Sequence, residues 1–304
     1  AAWGGSNIES WISSGGMRAI AGREAEADLL ELYSRDANAA LSAFATGWQA
    51  WWRQAGEGSP WERAEGDWAP APAQLGDWKR WRDAGLEQHN GMVWYRRTVT
   101  LTAEQAAGAA HLELGGVDEV DLTWVNGRLI GSSFGWGDAR AYAVPAGVLR
   151  AGENSIVVNV LSTWDAGGLT GPVDAMRIRF ANGETASLGD GWRYRAADAA
   201  HGGGPAAPWH AVRGISTIYN GMIAPLGAYG LRGALWYQGE SNAGAPQDYE
   251  ALLGGLIADW RRQFGRDLAV FIAQLPNFGA PSAQPIESGW ADLREAQRRV
   301  AEAD

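Results

Sequence analysis

The chain has 304 residues, 46% of them hydrophobic, with 25 Lys+Arg against 35 Asp+Glu for a net charge of −10, and no cysteine. A packed core in two domains of roughly 100–200 residues each is within reach, while the acidic balance excludes a nucleic-acid binder, which needs a basic footprint. Disulfides, thiolate nucleophiles and Cys-ligated metals are excluded outright, and no run approaches the roughly 20 apolar residues of a membrane span. Two oddities remain: 18 Trp, and a single lysine, Lys79.

Residues 22–54 are rich in Ala, Leu and Glu. Leu29, Leu30, Tyr33, Ala37, Ala40, Leu41, Phe44, Trp48, Trp51 and Trp52 recur near a 3.6-residue period, which predicts helix with a break near Asp36. Residues 55–91, rich in Gly, Pro and Trp, read as an irregular connector. From 92 to about 195 the period falls to two. MVWYRRTVTL, AHLELGGV, EVDLTWVNG, RLIGSSF, NSIVVNVL, AMRIRF and TASL are short and β-branched, and Asn126-Gly127 and Asn182-Gly183 are hairpin dipeptides. Strands with turn signals and no helix between them indicate a β-sandwich.

From 212 onward strands alternate with helices. RGALWYQ (232–238) and LAVFIAQL (268–275) read as buried strands. Tyr249, Leu252, Leu253, Leu256, Ile257, Trp260 and Phe264 mark one helix face, and WADLREAQRRVAEA a second helix. This pattern argues for an α/β fold with a parallel sheet. The N-terminal helix has no sheet of its own and is expected to pack on that one. The predicted organisation is a β-sandwich over 61–200 inserted into an α/β domain made of 1–60 and 201–304.

LWYQGESNA (235–243) ends a predicted parallel strand just before a helix, where open α/β sheets hold ligands. It gathers Gln238, Glu240, Ser241 and Asn242 around Gly239. An amide aimed into a cleft there donates to a developing oxyanion; a polar turn with Ser241 or Asn242 as helix cap explains the same letters. In AWGGSNIESW (2–11), Gly4-Gly5 permits close backbone approach and exposed N–H groups, or is an ordinary turn. His89, His111, His201 and His210 have no partners at metal-binding spacing. Asp118, Glu119 and Asp121 form a carboxylate cluster that a solvated turn also explains. Trp124, Trp136 and Trp164 fall in the sandwich, where indole faces either stack on sugars or fill the core.

At these motifs the sequence resembles the bacterial sialate O-acetylesterase-like family of SGNH hydrolases. AWGGSNIESWIS (2–13) is similar to its GGTxIExW element, and IYNGMIAPL…GALWYQGESNA (218–243) to its third conserved block. DYEALLGGLIADWRRQFG, QLPNF and WADLREAQ follow in the family's order. The middle resembles an inserted galactose-binding-like jelly roll, akin to the sugar-binding domain of β-galactosidases.

The resemblance implies a three-layer α/β/α parallel sheet interrupted by a jelly roll, and serine ester hydrolysis of an O-acetylated carbohydrate without a cofactor or metal. It also implies a periplasmic or extracellular location. Gly5 or Gly4 would supply an oxyanion N–H, Gln238 or Asn242 the side-chain amide, and Glu240 order in the loop. The family's serine lies in a GQSNM-like block upstream of the glycine element and its base in a DxxHP-like block downstream of LREAQ. Neither block falls within 1–304, so the chain is expected to be a fragment lacking nucleophile and base, unless Ser6, in Gly5-Ser6-Asn7-Ile8, is the nucleophile. The alternatives are a non-catalytic carbohydrate-binding protein and a glycosidase, which needs two carboxylates across one cleft.

Overall fold

Side-chain caps fix where the N-terminal helices begin. The Ser13 hydroxyl accepts from Gly16 N (2.9 Å) at the start of α1 (Ser14–Arg18). The expected break falls at Asp36: α2 (Glu24–Arg35) stops before it, and its carboxylate accepts from Ala39 N (3.0 Å) to cap α3 (Ala37–Gln54). The computed structural model describes residues 1–62, 67–82, 84–279, 284 and 286–304; residues 63–66 and 83 of the predicted connector lie outside them. Contacts divide the chain into two units, Ala1–Glu31 with Pro208–Asp304, and Leu32–Ala207. No described helix is long and apolar enough to cross a membrane.

The Leu32–Ala207 unit is built on a curled antiparallel sheet. Its strands are β1 (Ala69–Pro70), β2 (Gly91–Leu101), β3 (Ala110–Val125), β4 (Arg128–Val144), β5 (Gly152–Ser162), β6 (Gly168–Gly171), β7 (Arg177–Phe180), β8 (Thr185–Ser187) and β9 (Arg193–Ala196). The order is β1-β9-β2-β5-β3-β7-β8, with β4 and β6 also pairing with β3. A one-turn helix, α4 (Ala103–Ala106), is closed by a reciprocal Thr102–Gln105 capping box. Asn126 (φ 50°) and Gly127 (φ 82°) make the β3–β4 turn in the left-handed region, as an Asn-Gly hairpin requires. AHLELGGV and EVDLTWV form one strand, not two, because bulges at Glu113/Gly115 and Val117/Asp118 bend it without ending it.

The two faces of this sheet bury different chemistry. One holds an aliphatic and aromatic core around Leu112, Val117, Tyr95, Val158, Leu169 and Ile178. The other meets tryptophans. Trp48 and Trp52 of α3 stack at 5.8 Å, Trp52 meets Trp94 of β2 edge-on at 4.9 Å, and Trp61 stacks on Trp124 of β3 at 5.7 Å. The indole N–H groups of Trp48, Trp52, Trp94 and Trp124 find no acceptor among the described residues, so ring packing holds this interface. The N-terminal helix α3 therefore packs on the antiparallel sheet of its own unit, whereas the sequence pattern assigns it to the parallel sheet. Trp124 belongs to that core.

The carboxylates of β3 are not a solvated turn. Asp121 is fully buried, pairs with Arg140 Nε at 2.8 Å, and takes further hydrogen bonds from Thr123 (2.8 Å) and Tyr142 (2.7 Å to the nearer oxygen). Arg140 also donates to the carbonyls of Val117, Glu119, Gly135 and Asp138. Glu119 is buried and accepts from Thr163 N (2.9 Å) and Oγ1 (2.8 Å).

Half-buried Asp118 is pushed up to about 6 by burial first and then by Glu119, against the pull of Arg140, with Asp165 and Asp77 adding to the rise. The folded protein thus holds a proton that the unfolded chain releases between its ordinary value of 3.8 and about 6. That contribution favours the fold below pH 3.8 and is lost as pH rises through about 6. Asp118→Asn is expected to be more stable than the parent at pH 7, by about 1–2 kcal/mol after allowance for solvent screening. The difference should vanish at acid pH; urea melts at both pH values read it.

The other unit contains β10 (Gly233–Trp236) and β11 (Ala269–Ile272), paired in parallel, with α5 (Tyr249–Phe264) between them in sequence and α6 (Gly289–Ala303) after them. Ser288 caps α6, its hydroxyl lying 3.4 Å from Ala291 N. The two strands are less buried than their composition predicts. Leu235 and Phe271, directly paired, are 76% and 64% exposed. Among the described residues this sheet has two strands, and these exposed side chains lie on one side of it.

Candidate active site

The carboxyl end of β10 carries the polar residues that the sequence singles out. The chain turns there at Gly239, where a Cβ would fall 2.6 Å from Leu293 Cδ2 and 3.0 Å from Leu275 Cδ1. Only glycine fits between α6 and the strand at that point.

Gln238 and Asn242 are buried and joined. Gln238 Nε2 donates to Asn242 Oδ1 (2.8 Å) and to Ser6 O (2.8 Å). Asn242 Oδ1 also accepts from Ile8 N (3.0 Å), and its Nδ2 donates to Glu9 Oε2 (2.9 Å). The strand end thereby fixes the segment 6–9. From α5 and α6, Tyr249 OH lies 2.7 Å from Gln238 O and 2.9 Å from Gln238 Oε1, and Gln297 Nε2 donates to Gln238 O (2.9 Å). Burial pushes Tyr249 up to about 12, opposed by its hydrogen bonds to Trp236 and Gln297. It remains a neutral donor at physiological pH.

This bonding separates the two candidate amides. Both N–H groups of Gln238 are committed to protein acceptors. Asn242 spends one on Glu9, and its second has no partner among the described hydrogen bonds. Gly4 and Gly5 sit in an exposed turn beside Ser6, and among the described residues their amides make no hydrogen bond. Gly5 has φ 68° and so needs glycine; Gly4 does not. Glu240 is exposed, and its carboxylate accepts from Gly239 N at 3.0 Å, which ties down the loop.

Ser6 is buried, donates to Trp3 O (3.0 Å) and accepts from the Trp11 indole (2.8 Å). No histidine hydrogen-bonds to it among the described residues. Ser6→Ala is expected to cost about 1–3 kcal/mol by stranding the buried Trp11 N–H, read as a lower urea midpoint.

Sequence reasoning missed Glu9, Tyr249, Gln297 and Asp259. Asp259 is buried and accepts from Ser13 N and Ser13 Oγ, both at 2.7 Å, anchoring the N-terminal segment to α5. Glu9 was visible within the NIESW letters, and Tyr249 heads the apolar helix face. The concave surfaces flanking α5, one lined by Gly16, Ile20 and Gly254 and the other by Glu250, Ile257 and Val300, contain none of the candidate residues. No group of three or more metal-ligating side chains occurs among the described residues.

Residues 197–303 match the family model for carbohydrate esterases described as sialic acid-specific acetylesterase. The sialate O-acetylesterase of Mus musculus is 48% identical over 50 residues, and that of Homo sapiens 43% identical over 63. The likeness to this family is carried by residues 197–303, about a third of the chain. The matched stretches cover 16% and 19% of this chain and 9% and 12% of those relatives. Among solved structures, a Bifidobacterium dentium β-glucuronidase is 24% identical over 34% of this chain and 16% of its own, with a TM-score of 0.30. A Lactobacillus rhamnosus β-glucuronidase is 20% identical over 46% of this chain and 25% of its own, with a TM-score of 0.32. Gln238, Glu240, Asn242, Tyr249 and Gln297 all fall within the matched segment.

Proposed function

We propose that this chain is part of a carbohydrate O-acetylesterase that releases acetate from O-acetylated sugars by serine ester hydrolysis. The observation that carries the reading is the unspent Nδ2–H of Asn242, a residue tied to Ile8 and Glu9 in the segment that follows the Gly4-Gly5 turn, whose amides make no hydrogen bond among the described residues. A serine oxygen attacks the acetyl carbonyl, a histidine takes its proton, and the tetrahedral oxyanion is held by the Gly5 (or Gly4) N–H and the Asn242 amide. The tetrahedral intermediate collapses as the histidine returns the proton to the departing sugar oxygen, leaving an acetyl-serine; a water deprotonated by the histidine then attacks that ester, and acetate leaves as the serine regains its proton.

On this reading Gln238 and Glu240 are positioning residues. Gln238 holds Asn242 and the segment from Ser6, while Glu240 holds the loop. The serine and histidine come from sequence outside 1–304. Support for that assignment is the engagement of Ser6 Oγ with Trp3 and Trp11. The parallel pair β10–β11, with α5 between the strands in sequence and α6 after them, supports an SGNH-type layered sheet in the unit made of Ala1–Glu31 and Pro208–Asp304. The antiparallel sheet supports an inserted jelly roll within Leu32–Ala207.

The test is acetate release from O-acetylated sialic acid and from acetylated xylan. A longer protein containing this chain should turn over at least one of them, with the 304-residue chain alone at background. Turnover by the short chain, abolished by Ser6→Ala, would install Ser6 as nucleophile.

A further inference from the structure

Among the described residues of the antiparallel unit, the large apolar side chains left exposed are Trp136 (58%) and Trp164 (81%). Both stand at the same end of the sheet. Asp118 of β3 has Trp136 of β4 as its partner on one side and Gly168 of β6 on the other. Trp164 lies in the loop that leads into β6.

Neither residue is on a loose segment. Trp136 packs edge-on against Phe134 at 5.2 Å. The buried guanidinium of Arg140 holds the carbonyls of Val117 and Glu119 on one strand and of Gly135 and Asp138 on the other. The Trp164 loop is tied at several points. Thr163 bonds to Glu119, and the only lysine, Lys79, donates to Trp164 O at 2.7 Å and to Asn90 Oδ1 at 2.6 Å. Ser162 Oγ donates to Ala166 O (2.9 Å), and Gly167 N reaches Asp77 Oδ1 (3.3 Å). An indole kept in water on a backbone fixed this firmly is organised in advance for a ligand.

The surroundings specify the ligand. A protein partner calls for contiguous apolar area, and here two separate indoles stand among carboxylates and carbonyls. Flat apolar C–H faces to cover the rings, together with hydroxyls to donate to acceptors, describe a pyranose. Asp77, Asp118, Asp138 and Asp165 outnumber the cations around them: Lys79, whose described bonds go to Trp164 and Asn90, and Arg80, whose Nε lies 3.4 Å from Asp77, while Arg140 is paired with buried Asp121. That field repels carboxylated sugars.

We propose that the Trp136–Asp118–Trp164 end of the antiparallel unit is a binding site for a neutral oligosaccharide. It belongs to a different unit from Gln238 and Asn242 and does not rest on the esterase reading. The test is affinity electrophoresis of the 304-residue chain through gels containing galactan, xylan or glucomannan, with polysialic acid and polygalacturonate as anionic counterparts. At least one neutral polysaccharide should retard the chain. Trp164→Ala and Trp136→Ala should each weaken retardation about ten-fold or more with thermal midpoints unchanged. Tyr229→Ala, exposed on the other unit, should migrate as the parent. Retardation by none of the neutral polymers, retardation confined to the anionic ones, or full retention by both Trp variants overturns the proposal.

Discussion

Arg140→Met is expected to destabilise the protein by about 3–5 kcal/mol, because it leaves the Asp121 carboxylate charged, unpaired and out of reach of water. Arg140 is 4% exposed and Asp121 fully buried, so solvent cannot replace the lost partner. The Thr123 and Tyr142 hydroxyls remain to Asp121, but neither carries positive charge. Adding Asp121→Leu should recover part of the loss by removing the stranded charge. Recovery stays incomplete, because the carbonyls of Val117, Glu119 and Gly135 still lose the guanidinium. Equilibrium urea unfolding followed by circular dichroism measures all three proteins. Arg177→Ala is the contrasting case. Its partner Glu113 keeps Arg179 at 2.9 Å, and both arginines lie toward solvent, so its cost should stay below about 1 kcal/mol. Equal costs at the two sites would show that Asp121 is hydrated or protonated in the fold.

Local chemistry was readable wherever one residue type fixes one backbone event. Asp36 stops and restarts a helix because its short carboxylate reaches Ala39 N, and Asn126-Gly127 turns a hairpin because both residues accept the left-handed region. Partner choice was not readable in the same way. The 3.6-residue period shows that Trp48 and Trp52 share a buried face, but an apolar face is complementary to any other. Only the tertiary structure shows Trp94 and Trp124 opposite them. The polar letters of VDEVDLTW misled for a related reason. A buried ion pair looks like a surface turn until its partner, nineteen residues away, is seen beside it. Leu235 and Phe271 show the opposite case: an apolar strand reads as buried, yet these paired side chains are exposed among the described residues.

At the candidate site, QGESN showed where polar groups cluster but not how their hydrogen bonds are spent. That depends on Ser6, Ile8 and Glu9, more than two hundred residues away in sequence. Alternation and periodicity carry no record of which amide proton is already taken. Gln238 and Asn242 are equivalent as letters and become distinct only through their partners.

On the proposed esterase reading, Asn242→Ala in a longer protein containing this chain is expected to lower kcat by about 10²–10³-fold with little change in KM, the signature of a donor used mainly in the transition state. Gln238→Met should reduce kcat by no more than about ten-fold. Both Gln238 N–H groups are bound to the protein, so its contribution passes through the placement of Asn242 and Ser6. Both substitutions disturb folding as well. The first leaves Ile8 N and Glu9 without a partner, and the second strips the Tyr249 hydroxyl of its side-chain acceptor. Each should cost about 2–3 kcal/mol, so rates belong at a temperature where native circular dichroism persists. The KM-against-kcat split then separates the roles, since a loss of folded enzyme lowers apparent kcat equally for every substrate. A loss of oxyanion stabilisation instead tracks the acyl chemistry and also weakens binding of a transition-state analogue such as a phosphonate. If Gln238→Met shows the larger kcat loss and Asn242→Ala the smaller, the oxyanion amide is Gln238, and the hydrogen bonds seen here must rearrange when substrate binds.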